Sequence, residues 1–397
     1  MKYLFILGNH PGLSVAEISC KLSPKNYFFL DKQVLQVETK EEFDAEDLIS
    51  RLGGTVKIAE LLQENCADLN EEIKKYLPEN WEGKFRFGFS SYGFKRGEIK
   101  DIAIKVKKEL KNRSISSRWT TSRERNLSSV AVKENKLLEK GKEFIVLRKE
   151  GIQLLAETKA VQNFKELSRR DYGRPARDSR SGMIPPKLAQ IMINIASGGN
   201  KEQTLLDPFC GSGTVLMEAY LMGFERIIGT DNSGKAIEDS RENTEWLENN
   251  FDLSGEKERE IELMRSEASS LSDHLKKNSV DIIVTEPYLG PQKKLDDIKK
   301  IKKELEKLYS GALAEFEEIL KPGGRVVMIW PVLKKRKPSF IHPELKNLKI
   351  VSPVKNGLDI DQTFRNTLVY SRKGQRVMRE VVVLELMEDQ DQNKTNK

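Results

Sequence analysis

The chain has 397 residues, is 38% hydrophobic and 32% charged, and carries a formal net charge of +7. That is enough for two or three domains, includes no apolar run long enough for a membrane span, and favours a polyanionic partner. Three scattered cysteines (Cys20, Cys66, Cys210) and three histidines (His10, His274, His342) form no disulfide framework and no zinc or histidine metal pattern, so a reduced, cytoplasmic compartment and no metal are expected.

Residues 1–75 alternate strand and helix patterns. Met1 to Gly8 is too short for a signal-peptide core, and Tyr3 to Leu7 reads as a first strand. After the turn His10-Pro11-Gly12, Ser14 caps a helix from Val15 to Leu22. Tyr27–Leu30 and Val34–Val37 pair as strands, Ala45–Leu52 is helical, and Val56–Leu62 is a strand. The βαββαβ order predicts a small ferredoxin-like domain.

Residues 76–168 form a second α+β stretch. Phe85, Phe87 and Phe89 share one face of a strand from Lys84 to Ser90. Ile99–Leu110 is an amphipathic helix, Ser116–Thr120 and Val130–Val132 are short strands, and Phe144–Arg148 with Ile152–Thr158 form a hairpin about Glu150-Gly151. Lys105, Lys107, Lys108, Lys111, Arg113, Arg118, Arg123 and Arg125 cluster here, either as a solvated helix face or as a surface for a polyanion. Residues 162–180 read as a linker rich in arginine: Arg169, Arg170, Arg174, Arg177 and Arg180. A guanidinium suits planar phosphate contacts, and equally could pair with Asp171 and Asp178.

From Ile184 the pattern becomes α/β. A helix from Pro186 to Ala196 stops at Gly198-Gly199. The stretch Thr204 to Asp231 then reads strand, glycine turn, helix, strand, acid, which is one nucleotide-binding unit. Gly211 and Gly213 let the backbone approach a ligand, and Asp231 stands about 20 residues beyond the loop, where a carboxylate can take ribose hydroxyls. Leu216 occupies the position where a dinucleotide fingerprint needs a small residue, and no lysine follows Gly213 as a triphosphate loop requires. A phosphate-free adenosine cofactor, S-adenosylmethionine, suits the loop better, although a plain strand-to-helix turn has the same spacing. Further strands are expected at Ile261–Met264, Val280–Val284 and Arg325–Trp330, a helix at Lys293–Leu320, and a closing antiparallel pair at Thr367–Ser371 and Val381–Leu386. The basic loop Lys334-Lys335-Arg336-Lys337 follows a strand's C-terminal end, the edge where ligands of open α/β sheets bind. The tail from Glu388 is polar and expected to be disordered.

Three segments are more specific than their spacing. Asp207-Pro-Phe-Cys-Gly-Ser-Gly-Thr214 resembles motif I of the amino-methyltransferases that modify nucleic acids. Arg180-Ser-Gly-Met-Ile-Pro-Pro-Lys-Leu-Ala189 resembles their motif X, and Asp281-Ile-Ile-Val-Thr-Glu-Pro-Tyr-Leu-Gly290 their catalytic motif IV. With an RNA-binding-like N-terminal half, the order X, I, IV is similar to the THUMP-domain RNA methyltransferases, most of all the tRNA guanine-10 N2-methyltransferase group.

The resemblance implies a Rossmann-like methyltransferase domain over 181–387 with a seven-stranded sheet. A ferredoxin-like domain (1–75), a THUMP-like RNA-binding domain (76–168) and a linker (169–180) precede it, and a tail (388–397) follows. It implies a cofactor site from Met183, Pro185, Asp207, Phe209, Gly211, Gly213, Thr214, Asp231, Asn232, Glu267 and Ala268, and catalysis by Glu286, Pro287 and Tyr288. Arg118, Arg169, Arg170, Arg174, Lys334, Lys335 and Arg336 are the expected RNA contacts.

The family pattern in motif IV is Asp-Pro-Pro-Tyr, and this chain departs from it. One register sets Glu286-Pro287-Tyr288-Leu289-Gly290 against it, with a lengthened acid. The other keeps Tyr288 in place and puts Thr285 where the acid belongs. The first is preferred, because Thr285 and Gly290 then match common flanks. An exocyclic amine is a poor nucleophile, and acceptors aimed at its two hydrogens would localise its lone pair. Cys210 lies in the cofactor loop and reads as a small filler rather than a nucleophile. The expected function is N2-methylation of a guanosine in tRNA by a monomeric enzyme. DNA or rRNA amino-methylation, or an RNA-binding relative weakened by its altered motif IV, are the alternatives.

Overall fold

The computed structural model describes every residue except 178–182, 252–258, 292–295, 336, 355–357, 359 and 388–397. In chain order the first elements are β1 (Lys2–Leu7), α1 (Pro11–Leu22), β2 (Asn26–Asp31), β3 (Val34–Glu38), α2 (Ala45–Ser50), β4 (Thr55–Gln63) and α3 (Leu69–Lys75). There follow β5 (Phe85–Tyr92), α4 (Arg96–Asn112), β6 (Ser117–Thr120), α5 (Ser129–Glu134), β7 (Gly141–Lys149), β8 (Ile152–Val161) and α6 (Phe164–Tyr172). Two compact units result: Met1–Pro11 with Ser23–Glu166, and Gly12–Leu22 with Leu167–Lys397.

The first unit is built on one eight-stranded sheet, in the order β2-β3-β1-β4-β8-β7-β5-β6. The expected boundary at 75/76 therefore separates strands of a single sheet, because β4 pairs with β8 from Lys57↔Val161 onward. Phe85, Phe87 and Phe89 do share one face, packed with Ile99, Ile102 and Val106 of α4 in one apolar cluster. Glu150 (φ 52°) and Gly151 (φ 83°) turn the β7–β8 hairpin in the left-handed region that a two-residue turn needs. Residues 130–132, expected as a strand, lie in α5. Ser128 accepts a bond from the Ala131 amide, and this N-cap overrides the short β-branched run. Residues 164–172, expected as linker, form α6, with Leu167 and Arg170 buried.

A buried polar knot crosses this sheet. Glu143 on β7 is fully buried; it pairs with Lys57 of β4 and accepts from Ser90 Oγ at 2.6 Å and Thr158 Oγ1 at 2.7 Å. Four strands thus meet at one carboxylate.

The second unit holds α7 (Pro186–Ser197), β9 (Thr204–Asp207), α8 (Thr214–Met222), β10 (Arg226–Asp231), α9 (Gly234–Asn250) and β11 (Glu260–Arg265). It continues with β12 (Val280–Thr285), α10 (Ile298–Ile319), β13 (Leu320–Lys334), β14 (Pro338–Phe340), β15 (Leu348–Val351), β16 (Leu368–Tyr370) and β17 (Val377–Leu386). Among the described residues the sheet has nine strands. Seven run β11-β10-β9-β12-β13-β17-β15, with β14 on β13 and β16 on β17. The seven-stranded expectation corresponds to the main path. The parallel part reverses direction of growth at β9: β10 and β11 extend one way, β12 and β13 the other. In such sheets the crevice at the strand C-termini beside that reversal is the ligand site. Helix α1 belongs to this unit. Its Glu17, fully buried, accepts from Asn194 Nδ2 of α7 at 2.8 Å. It begins at Pro11, earlier than Ser14, since proline is well placed at a first helical turn. The helix expected from Lys293 begins at Ile298 behind the Asp297 cap, and residues 293–295 lie outside the described residues. No helix of the described residues is long and apolar enough to cross a membrane.

The knot at Glu143 generates the first prediction. Lys57→Met leaves a buried carboxylate with hydroxyl partners only, which costs about 3–5 kcal/mol. Hydrogen exchange on the full chain should show β4 and β7 amides opening more easily by about that amount. Unchanged protection would mean that the hydroxyls suffice.

Candidate active site

A cavity of about 880 Å³ lies at the C-terminal ends of β9, β10 and β12. The loop after β9 forms its floor. Gly211 (φ 53°) and Gly213 (φ 79°) both adopt left-handed backbone. A Cβ on Gly211 would meet no protein atom within 4 Å, whereas one on Gly213 would meet Ser240 Oγ at 3.1 Å. Gly211 thus opens space for a ligand, while Gly213 admits α9. Leu216 explains its own departure from the dinucleotide pattern. The close approach of helix to strand is made from the strand side by Gly229, where a Cβ would stand 2.5 Å from Leu216.

Asp231 ends β10 and lines the cavity. Its Oδ2 accepts from the Gly211 amide at 3.1 Å and its Oδ1 from the Ser233 amide at 2.9 Å. A carboxylate offers about four acceptor positions, so capacity remains for ligand hydroxyls. Met183, Asp207, Phe209, Thr214, Asn232, Glu267 and Ala268 also line the cavity; Pro185 and Gly213, the N-caps of α7 and α8, are not among its lining residues.

Asp207 ends β9 and is buried. Its Oδ1 accepts from Thr285 Oγ1 at 2.6 Å and from the Phe209 amide at 3.2 Å. Burial outweighs these bonds and pushes its carboxyl up to about 7. Cys210 is likewise buried, and burial pushes its thiol up, away from the thiolate that covalent catalysis would need.

The second half of the cavity wall is the turn after β12. Glu286, Pro287, Tyr288 and Leu289 line it, and Tyr288 is 57% exposed. Thr285 is fully buried, with its hydroxyl committed to Asp207. Of the two motif IV registers, the first is the one that sets a carboxylate on the cavity wall. Glu286 does not stand alone. Arg379 of β17 grips it with two bonds, Nε to Oε1 and Nη2 to Oε2 (3.2 Å), and also donates to the Met183 carbonyl at 3.4 Å. Burial raises the Glu286 pKa, and the Arg379 charge opposes that rise. Tyr309 Oη donates to the Tyr288 carbonyl at 3.0 Å and fixes the turn from α10. Arg379 was missed in the sequence, although a charged pair, Arg379-Glu380, inside the apolar strand Val377–Leu386 is itself a sign of buried ion pairing.

The expected RNA contacts separate into two groups. Arg118, Arg169, Lys334 and Lys335 are exposed, with Arg169 bonded to Asn250 at 3.0 Å; Arg336 lies outside the described residues. Arg170 and Arg174 are buried, which corrects their assignment to a surface. Arg170 forms a two-point pair with Glu218 (2.7 and 3.2 Å), and Arg174 donates to Thr214 Oγ1 at 2.7 Å.

The RMKL-like methyltransferase domain family matches residues 174–349, the span that contains this cavity. Among curated relatives, the tRNA (guanine(10)-N2)-dimethyltransferase of Methanothermobacter thermautotrophicus is 35% identical over 150 residues, 38% of this chain and 39% of that protein. The protein of the same name from Methanocaldococcus jannaschii is 26% identical over 340 residues, 82% of this chain and 89% of that one. The crystal structure of TrmN from Thermus thermophilus shares the fold: TM-score 0.54 at 18% identity, over 98% of this chain and all of that one. The chain spans 39% of the length of that first relative.

The raised carboxyl of Asp207 makes a pH prediction. Its ordinary value near 3.9 applies in the unfolded chain and about 7 in the folded one. Well below pH 4 both states are protonated and Asp207 adds no penalty. As pH rises towards 7 the unfolded state ionises first, so the folded state loses stability, by up to about 4 kcal/mol. Asp207→Asn, which keeps the Oδ1 acceptor, should flatten the fall in melting temperature between pH 5 and 8. An identical pH profile in the variant would show that Asp207 is ionised in the fold.

Proposed function

We propose that the chain is an S-adenosylmethionine-dependent RNA methyltransferase that modifies the N2 amine of a guanosine in tRNA. The observation that carries this is one cavity walled on one side by the glycine loop with Asp231 and on the other by Glu286-Pro287-Tyr288. The names of the relatives support tRNA and guanine as the substrate class.

The residues present fit the cofactor. Gly211 leaves open space, Asp231 retains acceptor capacity, and Glu267 and Ala268 line the same cavity at the end of β11. When bound, S-adenosylmethionine supplies an activated methyl on a sulfonium. The chain's own part is positioning. Glu286, steadied by Arg379, is the side-chain acceptor for one amine hydrogen, and a backbone carbonyl of the Pro287 turn is the second. Exposed Tyr288 offers a face on which an extruded base stacks. Arg118, Arg169, Lys334 and Lys335 are candidate phosphate contacts. The first unit is proposed as the RNA-binding, THUMP-like part, a monomer as the working form, and the cytoplasm as the compartment.

Incubation of the full chain with labelled S-adenosylmethionine and separate pools of unmodified tRNA, rRNA and DNA tests the substrate. Label in tRNA, recovered on digestion as N2-methylated guanosine, is the expected result; label in DNA or rRNA alone would replace it with the corresponding amino-methylation. Asp231→Ala should weaken cofactor binding by about 1.5–3 kcal/mol, the scale of charged hydrogen bonds, read by calorimetry. Glu286→Ala should lower single-turnover transfer by about 10²-fold or more and spare cofactor affinity. Glu286→Asp should retain measurable transfer. Full transfer in Glu286→Ala would remove that carboxylate from the chemistry.

A further inference from the structure

The hairpin of β13 and β14 carries the chain past the Glu286 turn. Thr285, the last residue of β12, pairs with Met328, and β13 continues to Lys334. Phe340 of β14 stands opposite Val332, about 13 Å beyond Met328 at the rise of an extended strand. Helix α10 joins this region to the cavity. The His342 amide donates to Glu306 Oε1 at 2.9 Å, and Leu308 of the same helix lines the cavity.

Beside the hairpin lies a group of rings that the chemistry at Glu286 does not use. Phe364 is 69% exposed, and a single exposed ring would need no explanation. This ring is part of an ordered set. It meets Phe340 edge-on at 5.1 Å, and the exposed imidazole of His342 lies 6.2 Å away, tilted by 37°. The guanidinium of Arg365 is 5.4 Å from the Phe364 ring centre, 5.5 Å from that of Phe340 and 4.8 Å from that of Trp330. Fully buried Glu380 grips that guanidinium with both oxygens, and the Ile341 carbonyl accepts from its Nη1 at 3.0 Å. The rings therefore rest on a fixed cation and are presented without much ordering cost.

The border of this set is basic. Lys334, Lys335 and Lys337 at the hairpin turn are exposed. The Lys334 amide donates to the Arg376 carbonyl at 2.7 Å, which brings exposed Arg372, Lys373 and Arg376 of the turn before β17 alongside. Flat rings next to clustered cations suit an unpaired stretch of nucleic acid, whose bases stack while its phosphates meet charge. Two exposed rings offer far less than the roughly 800 Å² that a protein partner needs on each side.

We propose that Phe364 and His342, braced by Arg365, form a stacking platform for an unpaired base of the RNA substrate, with the lysines of the hairpin turn on the adjoining phosphates. This rests on the RNA reading above and adds a second base contact, separate from the target base at Tyr288.

The test is fluorescence anisotropy on the full chain with an unmodified tRNA transcript and with heparin, a polyanion that has no bases. Phe364→Ala should weaken tRNA binding by about 5–50-fold, the scale of one stacked base, and leave heparin within about twofold. Phe364→Tyr should bind tRNA as wild type does, whereas Phe364→Leu, apolar without a flat face, should bind as poorly as the Ala variant. This Tyr and Leu pair carries the test if the Ala variant does not fold. Lys334→Gln combined with Lys335→Gln should weaken both polyanions and flatten the salt dependence. Undiminished tRNA affinity in Phe364→Ala, or equal losses for tRNA and heparin, would overturn the platform alone. Wild-type affinity in Phe364→Leu would overturn stacking in favour of a plain apolar contact. A wild type that binds no RNA would overturn the RNA reading and the platform with it.

Discussion

The site depends on the parallel pairing of β9 with β12 and on the hydrogen bond that ties their ends, Thr285 to Asp207. The chain leaves β9 in one direction through β10 and β11, then returns to its other side with β12. The loops after β9 and β12 therefore part from each other and leave a crevice. Everything placed on those loops faces the same space: the glycine floor from one, the Glu286 turn from the other. A sheet wound in a single direction would have helices covering that edge.

Buried charge is the second constraint. Arg170–Glu218, Arg379–Glu286 and Arg365–Glu380 are three pairs with side chains at most about a tenth exposed. Replacing such pairs by apolar residues is often neutral or stabilising, so stability alone is a weak reason for them. One of them borders the cavity: Glu286 lines it, and Arg379 holds its carboxylate. Arg379 ties β17 to the Glu286 turn and to the segment at Met183, so three stretches distant in sequence share one guanidinium. The third pair lies apart, with Arg365 also stacked over Trp330 at 4.8 Å.

Much of this was legible from local pattern. The alternation of Phe85, Phe87 and Phe89, the left-handed turn at Glu150-Gly151 and the stop at Gly198 (φ 58°) are decided within a few residues. So is the order strand, glycine loop, helix, strand, acid around Gly211. Where local pattern failed, a short competing signal was involved. The Ser128 cap captured residues 130–132 for a helix, and Leu167 with Arg170 gave α6 a buried face within a segment whose glycine and proline read as a linker.

By itself the sequence determined the type of most elements and pointed to several of the residues that line the cavity, because glycine conformations, caps and apolar periods are properties of neighbours in the chain. Only the tertiary structure decided which charges face water and which face each other. Arg169 and Arg170 are adjacent and identical in composition, yet one is exposed and the other is locked to Glu218, 48 positions away. It also decided that Thr285 serves Asp207 while Glu286 meets Arg379, 93 positions on. Burial and pairing of a charge depend on which strands and helices become neighbours, and no short window of residues carries that information.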